Sequence, residues 1–148
     1  MKKFKFKLAM VLKIKLRLEE LRQQELREAE YRVLLAQQDL ERCHEAVLLA
    51  TERYRQQLVA KLNLNSALDY QRYLTWLANH VTLAEESLQL RQQEVVAVRD
   101  TLIVATQERQ MLEKLKEKAY QHYLQAELQA EHEFLDEIGT SRYVRMEK

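Results

Sequence analysis

Residues 61–69 read KLNLNSALD and decide the fold, because they separate two long segments that are rich in helix formers. Asparagine has a low helix propensity, so Asn63 and Asn65 predict a break in an otherwise helical chain. Ser66, followed three residues later by Asp69, is a variant of the capping box that begins a new helix. The stretch therefore predicts a short turn over residues 63–66, which favours antiparallel packing of the two helices it joins.

Apolar residues repeat every seven positions on both sides of this turn, as they do at the a and d positions of coiled coils. Many d positions hold alanine, which lets two helices approach closely. The pattern predicts an all-α fold in which two long helices form an antiparallel coiled-coil hairpin. The a positions are Leu26, Val33, Leu40, Val47 and Tyr54, then Leu74, Val81, Leu88, Val95 and Leu102. The d positions are Ala29, Ala36, Cys43 and Ala50, then Leu77, Ala84, Arg91, Val98, Ala105 and Leu112.

We expect a single coiled-coil domain over residues 1–148. Helix one should span about residues 8–62 and helix two about residues 66–138, roughly 80 and 110 Å at 1.5 Å per residue. Gly139 suits a left-handed helix terminus, which would leave residues 140–148 as a flexible tail.

The position of the turn also predicts the register of the two helices. Paired residues should have numbers that sum to roughly 130, so that Val47 faces the Leu83–Ala84 region. The alternative is one continuous helix that dimerises with a second chain.

Composition excludes several classes of protein. The chain has 148 residues with one glycine and no proline, too few for the turns of sandwiches and barrels or for glycine-rich phosphate loops. The 24 basic and 23 acidic residues give a net charge of +1, so the whole chain has no strong attraction to nucleic acid. One cysteine cannot form an internal disulfide, which suits a reducing compartment.

No residue pattern indicates catalysis. The four histidines are not spaced as metal ligands, and Cys43 is most simply a small buried hydrophobic residue. The carboxylates between Glu127 and Glu137 resemble a solvated helix face, whereas acid–base catalysis needs a concave and partly dry site. We therefore expect no enzyme activity, no bound metal and no cofactor.

The first eighteen residues alternate apolar and basic side chains. This alternation is typical of a strand, but helical spacing also fits, and we expect a helix from about residue 8 after a mobile basic and aromatic end. Lys13 and Lys15 interrupt what would be the apolar region of a signal peptide, and no apolar run approaches the roughly twenty residues of a membrane span. We expect a cytoplasmic protein, with contact of this segment with a membrane surface as an alternative.

Two aromatic clusters indicate protein partners. Tyr70, Tyr73, Trp76 and Leu77 lie within two turns, and a two-helix seam needs only some of them, so the others should be exposed. A second cluster should form where the two chain ends meet, from Phe4, Phe6, Tyr123, Phe134, Leu135 and Ile138.

The two ends of the chain resemble the FliJ family of flagellar type III export proteins. The opening FKFKL over residues 4–8, followed by Val11 and Leu12, is similar to that family's N-terminal start. The segment LEKLKEK over residues 112–118, and LDEI over residues 135–138 with Arg142 and Tyr143, are similar to its C-terminal signature.

The resemblance implies a coiled-coil stalk whose termini enter the pore of a hexameric export ATPase. It also implies contact with the cytoplasmic linker of the export-gate membrane protein and binding of substrate chaperones, so we expect a monomer that associates peripherally with the cell membrane. Lys15 stands where the family tends to have arginine, and His80 where a small residue is expected. The implied ATPase-binding residues are Phe4, Leu8, Leu12, Lys15, Leu135, Asp136 and Arg142, and the implied gate-binding residues are Tyr73 and Leu77.

Two alternatives stay open at this point. One is the equivalent stalk of a virulence type III secretion system, which only the terminal motifs distinguish from the flagellar protein. The other is a structural coiled-coil homodimer that has no link to secretion.

Overall fold

The computed structural model describes residues 2–61 and 63–147 and contains two long helices. Helix α1 spans Ala9–Val59 (51 residues) and helix α2 spans Leu64–Met146 (83 residues). Over these described ranges there is no β-strand, so the strand-like alternation near the N-terminus does not form one. The predicted fold is confirmed: the protein is all-α, and its two helices form an antiparallel coiled-coil hairpin.

The turn between the helices uses a residue that the sequence did not single out. Lys61 has a φ of 60°, in the left-handed region that residues with a Cβ rarely adopt. The Ala60 N–H donates to the Gln56 carbonyl at 3.2 Å, and the Lys61 N–H donates to the Leu58 carbonyl at 3.4 Å. The left-handed residue therefore ends α1, and the predicted end of helix one at Leu62 lies outside the described residues.

The predicted start of the second helix is too late. The Ala67 N–H already donates to the Asn63 carbonyl at 3.0 Å, so Ser66 and Asp69 lie inside α2 and do not form its capping box. Asparagine is itself a favoured residue immediately before a helix, and Asn63 stands at that position. The helix therefore begins at Leu64.

The predicted end of the second helix at about residue 138 is wrong, because α2 continues through Gly139 to Met146. Gly139 does not have a positive φ, and a Cβ placed there would meet nothing within 4 Å. One glycine costs only about 1 kcal/mol in a helix interior, and no proline follows to stop the helix. The Thr140 hydroxyl donates to the Asp136 carbonyl at 2.7 Å across the same turn. Residues 140–146 are therefore helical.

The chain divides into two compact units, and the single-domain organisation stays a prediction. Unit 1 comprises Met1–Glu20 and Val104–Lys148, and unit 2 comprises Leu21–Ile103. The buried hydrophobic side chains of unit 1 are Leu12 and Ala105. Those of unit 2 are Ala29, Ala36, Ala50, Leu77 and Val95. Four of the five alanines at d positions are thus buried, whereas Ala84 and Cys43 are only half-buried.

The register differs from the predicted one at Tyr54 in unit 2 and at Lys15 in unit 1, whose ammonium pairs with Glu108. The Tyr54 and Tyr70 rings lie 5.6 Å apart, whereas the predicted register pairs Tyr54 with a residue more than one turn further along α2. The 3.6 Å pair between Glu30 and Arg99 fits the predicted register closely. Because the turn lies at Lys61 and not at residues 63–66, the pairing near it shifts toward lower numbers on α2.

Candidate functional site

In unit 1 the non-helical N-terminal segment packs against α2. The Phe4 ring meets Tyr120 edge-on, with centroids 5.2 Å apart and planes at 71°, and lies 5.5 Å from Tyr123. The Tyr123 hydroxyl lies within hydrogen-bonding distance of the Lys2 carbonyl oxygen and donates to the Glu127 carboxylate at 2.7 Å. We expected this N-terminal end to be mobile, but the Phe4 side chain is half-buried against α2.

The same contact changes the acidity of Tyr123. Its hydrogen bond to the Glu127 carboxylate raises the pKa of the Tyr123 phenol, and partial burial raises it further. Both effects favour the neutral phenol, which carries the proton that the acceptor needs. The contact therefore stays intact throughout the neutral pH range.

A polar network crosses the helix seam deeper in unit 1. Arg109 pairs with Glu19 through its Nε and with Glu113 through an Nη at 2.7 Å, and the Thr106 hydroxyl donates to Glu19 at 3.3 Å. These hydrogen bonds to two carboxylates raise the pKa of the Arg109 guanidinium. Arg109 lies seven residues after Leu102, so the a positions of the heptad predict it on the seam, but they do not identify Glu19 as its partner. The signal that could have found it is a carboxylate at a seam position of the facing helix.

Of the ATPase-binding residues implied at the N-terminal end, Phe4, Leu12 and Lys15 face inward or are engaged within unit 1, whereas Leu8 is partly exposed. Leu12 is 8% exposed, and the Lys15 ammonium donates to the Glu108 carboxylate at 2.7 Å. Leu8, at 40% exposure, is the most accessible apolar residue among them. Phe4, Leu12 and Lys15 thus hold the N-terminal end against α2.

The residues implied for α2 lie on a different kind of surface. Leu135, Asp136 and Arg142 belong to residues 124–146, where nearly every side chain is exposed. Leu135 is 61% exposed and Phe134 is 62% exposed, so neither joins the cluster that Phe4 forms with Tyr120 and Tyr123. The predicted gathering of aromatic residues is therefore only partly formed. Because Leu135 and Arg142 are seven residues apart, they share one face of the helix.

In unit 2 the aromatic residues near the start of α2 divide between seam and surface. Tyr70 packs against Tyr54, and Leu77 is 5% exposed. Tyr73 is 48% exposed and stacks on Trp76, with centroids 6.0 Å apart, and Trp76 lies 4.1 Å from the His80 ring. Of the two implied gate-binding residues, only Tyr73 presents its side chain to solvent.

A comparison with protein families identifies the chain. The family model described as "Flagellar FliJ protein" matches residues 4–148. The chain belongs to the FliJ family. The match includes both terminal segments that make up unit 1 and all of unit 2.

The fold of this FliJ-family chain is also found in a solved structure. That structure is described as a YscO homologue from Chlamydia trachomatis, with a TM-score of 0.56 and 20% sequence identity. The match covers 93% of this chain and 94% of the other. At this identity the likeness concerns the fold alone. No curated protein matches the sequence of this chain.

Metal sites and membrane spans are two further features for which the described residues can be assessed. Within residues 2–61 and 63–147, no three or more His, Cys, Asp and Glu side chains are grouped to hold a metal ion. Neither α1 nor α2, in the portions described, has the length and apolar character needed to cross a membrane. The surfaces of this FliJ-family chain that invite a functional explanation are therefore the exposed C-terminal turns of α2 and the aromatic residues near its start.

Proposed function

We propose that this protein is a coiled-coil stalk of the flagellar type III protein export apparatus. It would bind the hexameric export ATPase and the export gate, and would act without chemistry of its own. The FliJ family match over residues 4–148 and the antiparallel hairpin support this role. A helical hairpin can bias two partners by binding one state of each more tightly than the other.

The ATPase contact is assigned to unit 1, on one observation. Residues 124–146 continue α2 as an exposed helix that carries Phe134, Leu135 and Tyr143 on its surface. Exposed aromatic and aliphatic groups next to charged residues are typical anchors of protein interfaces. Leu135, Asp136 and Arg142 would touch the ATPase directly, together with Leu8.

Phe4, Leu12 and Lys15 would support the ATPase contact indirectly, by holding the fold of unit 1. Each is engaged within unit 1, by the aromatic rings, by burial and by the Glu108 carboxylate respectively. They would keep the N-terminal segment against α2, beside the exposed turns. Their loss would therefore weaken ATPase binding through a change in the fold of unit 1.

The experiment that tests the assignment measures ATP hydrolysis by the cognate export ATPase at increasing stalk concentration. Reversing both exposed charges, with Asp136→Lys and Arg142→Glu, should abolish stimulation without lowering helicity. Glu137→Lys is the matched control, because residue 137 is exposed and lies about 100° around the helix from Asp136 and about 140° from Arg142. If the double variant stimulates like wild type, these residues are not at the interface.

Lys15 needs a separate experiment, because its ammonium is paired with the Glu108 carboxylate. Lys15→Glu should reduce stimulation, and the exchange Lys15→Glu with Glu108→Lys restores an ion pair of opposite direction. Recovery in the exchange variant assigns Lys15 to holding unit 1 together. Loss in both variants assigns it to direct contact with the ATPase.

The export-gate contact is assigned to Tyr73. Its exposed ring, stacked on Trp76, would meet the cytoplasmic linker of the gate, and Leu77 would fix the helix face from its buried position. This contact would hold the protein peripherally at the cell membrane. Substrate chaperones would be further partners, for which no residues are proposed. A Tyr73→Ala variant should lose pull-down of the gate linker and keep ATPase stimulation.

The second candidate is the equivalent stalk of a virulence type III system. The similarity of fold to the YscO homologue favours it. A pull-down from motile cells would separate the two, since capture of the flagellar ATPase supports the first and capture of a virulence ATPase supports the second.

Light scattering at micromolar concentration should give the mass of a monomer, whereas a structural homodimer would give twice that mass.

A further inference from the structure

An exposed apolar stripe runs along α2 in unit 2 and is separate from the helix seam. It consists of Trp76, Leu83, Leu90 and Ala97, which recur every seven residues at position c of the α2 heptad. Trp76 is 55% exposed, Leu83 is 60% exposed and Leu90 is 61% exposed. None of these residues belongs to the a and d positions that pack on α1, so the hairpin itself does not account for the repeat.

Helix α1 adds apolar residues to the side of the seam on which the α2 stripe lies. In an antiparallel pair, e positions face e positions on one side and g positions face g positions on the other. Glu30 and Arg99 are both at e, and they pair at 3.6 Å, which identifies the first side. Position c adjoins g, so Leu35 and Leu49, at c in α1, lie on the second side with the α2 stripe. We call this surface, made of the α2 stripe with Leu35 and Leu49, the c face.

The spacing indicates what kind of partner the c face would take. A side chain every seven residues stays in contact only with another helix that follows α2 for several turns. From Trp76 to Ala97 the stripe is about 32 Å long at 1.5 Å per residue. A helix of three to four heptads would cover it.

The charges beside the α2 stripe indicate which charge the partner helix should carry beside its own apolar residues. Positions f and g of α2 between residues 79 and 101 carry Glu86, Glu94 and Asp100 and neither lysine nor arginine. Glu94 is paired with Arg91 at 3.1 Å, and Arg72 lies one turn before Trp76. On the α1 part of the c face the charges are mixed and include the 3.5 Å pair of Arg42 with Asp39. A second copy of this chain would bring the acidic residues of two α2 stripes together and be repelled. A helix with basic residues flanking its apolar stripe would be attracted.

We propose that the c face binds a long amphipathic helix with basic flanks, which completes a three-helix coiled coil over unit 2. The proposal goes beyond the stalk function and does not depend on ATPase stimulation, and Trp76 of the c face also stacks on Tyr73, the residue proposed for the gate contact. Trp76 is the sole tryptophan of the chain, so its fluorescence reports on this end of the c face and on the adjoining Tyr73.

The test uses two synthetic four-heptad peptides with leucine at a and d, one with lysine at e and g and the other with glutamate there. On the full chain, the lysine peptide should shift Trp76 emission to shorter wavelength and bind at least tenfold more tightly than the glutamate peptide. Leu83→Asp with Leu90→Asp should weaken binding at least tenfold. Leu48→Asp is the matched control, because Leu48 is 70% exposed but lies at position b on the other side.

Three outcomes would overturn the proposal. One is equal binding of the lysine peptide to wild type and the Leu83→Asp/Leu90→Asp variant when circular dichroism shows equal helicity. Another is an unchanged Trp76 spectrum at saturating peptide. The third is a wild-type dimer in sedimentation that this double variant converts to a monomer, which would make a second copy the occupant.

Discussion

Glu19 and Arg109 form an ion pair across the two helices of unit 1, at seam positions that a coiled coil ordinarily fills with apolar side chains. Glu113 and Thr106 complete the hydrogen bonding of the pair. A polar layer of this kind costs stability compared with apolar packing but can fix the register of two helices. Here it adjoins Ala105, which is buried.

Removing one partner of this pair should destabilise the protein. Glu19→Ala leaves the Arg109 charge on the seam without its main acceptor, so the thermal unfolding midpoint should fall. Replacing both residues with leucine should keep or raise the midpoint, because apolar packing takes over. Thermal unfolding followed by circular dichroism measures this, with the exposed Glu20→Ala as control. A midpoint for Glu19→Ala equal to wild type would show that the pair contributes nothing.

The contact of Tyr123 with Glu127 should weaken at alkaline pH. The pKa of the Tyr123 phenol is raised in the folded chain, so its stabilising contribution is fully present below the ordinary value near 10. The contribution is lost as the pH rises through the folded pKa. Urea unfolding between pH 8 and pH 11.5 should therefore show a wild-type advantage over Tyr123→Phe that disappears at high pH. Tyr143→Phe, at a 64% exposed site, should show no such change.

Glycine at position 61 should stabilise the hairpin. Lys61 adopts a φ of 60°, which costs a residue with a Cβ about 1 kcal/mol compared with glycine. Lys61→Gly should therefore raise the free energy of unfolding by up to about 1 kcal/mol in urea titrations. Lys61→Ala removes the long side chain but keeps the Cβ, so it should leave stability unchanged. A gain in the alanine variant of the same size would point to the lysine charge instead.

Crosslinking should detect the register near the turn. Counting from the contact of Tyr54 with Tyr70, Cys43 lies opposite Val81, whereas the register predicted from sequence placed it near Leu88. Val81→Cys should form an intramolecular disulfide with Cys43 under mild oxidation, seen as a faster-migrating band without reductant. Leu88→Cys should crosslink poorly. The reverse result would restore the register with the turn at residues 63–66.

Substitutions of Leu12 and Leu8 should distinguish an effect on folding stability from an effect on ATPase binding in the N-terminal part of the protein. Leu12 is buried and Leu8 is partly exposed, so Leu12→Ala should cost about 2–3 kcal/mol of unfolding free energy and Leu8→Ala less than about 1 kcal/mol. Urea titration measures both. Under the proposed function, Leu8→Ala should still reduce ATPase stimulation, and normal stimulation would remove Leu8 from the interface.

The hairpin could be predicted from sequence because its determinants are local and periodic. Alanine at Ala29, Ala36 and Ala50, repeated every seven residues, specifies a close helix seam whatever the partner. The helix ends were harder to predict, because Asn63 and Gly139 each suit more than one role. Asn63 precedes a helix as readily as it interrupts one, and Gly139 is tolerated inside a helix when nothing forces a turn.

The site was predictable only in part, for a physical reason. The position of Arg109 on the seam follows from the heptad, but its pairing with Glu19 depends on the register, which the turn at Lys61 sets. The docking of Phe4 on Tyr120 joins residues far apart in sequence and follows no period. The stripe of Trp76, Leu83 and Leu90 was visible as a seven-residue repeat, but it needed the assigned seam to be recognised as a second face.

The unequal lengths of α1 and α2 have an evolutionary consequence. Residues 124–146 bury almost no side chain, so substitutions among them are nearly free of any effect on the rest of the hairpin. Under the proposed function, selection can then refine recognition in this stretch while the seam residues stay constrained by packing. Lineages that exchange one secretion partner for another could do so by changing these few turns, with the remainder of the coiled coil inherited intact.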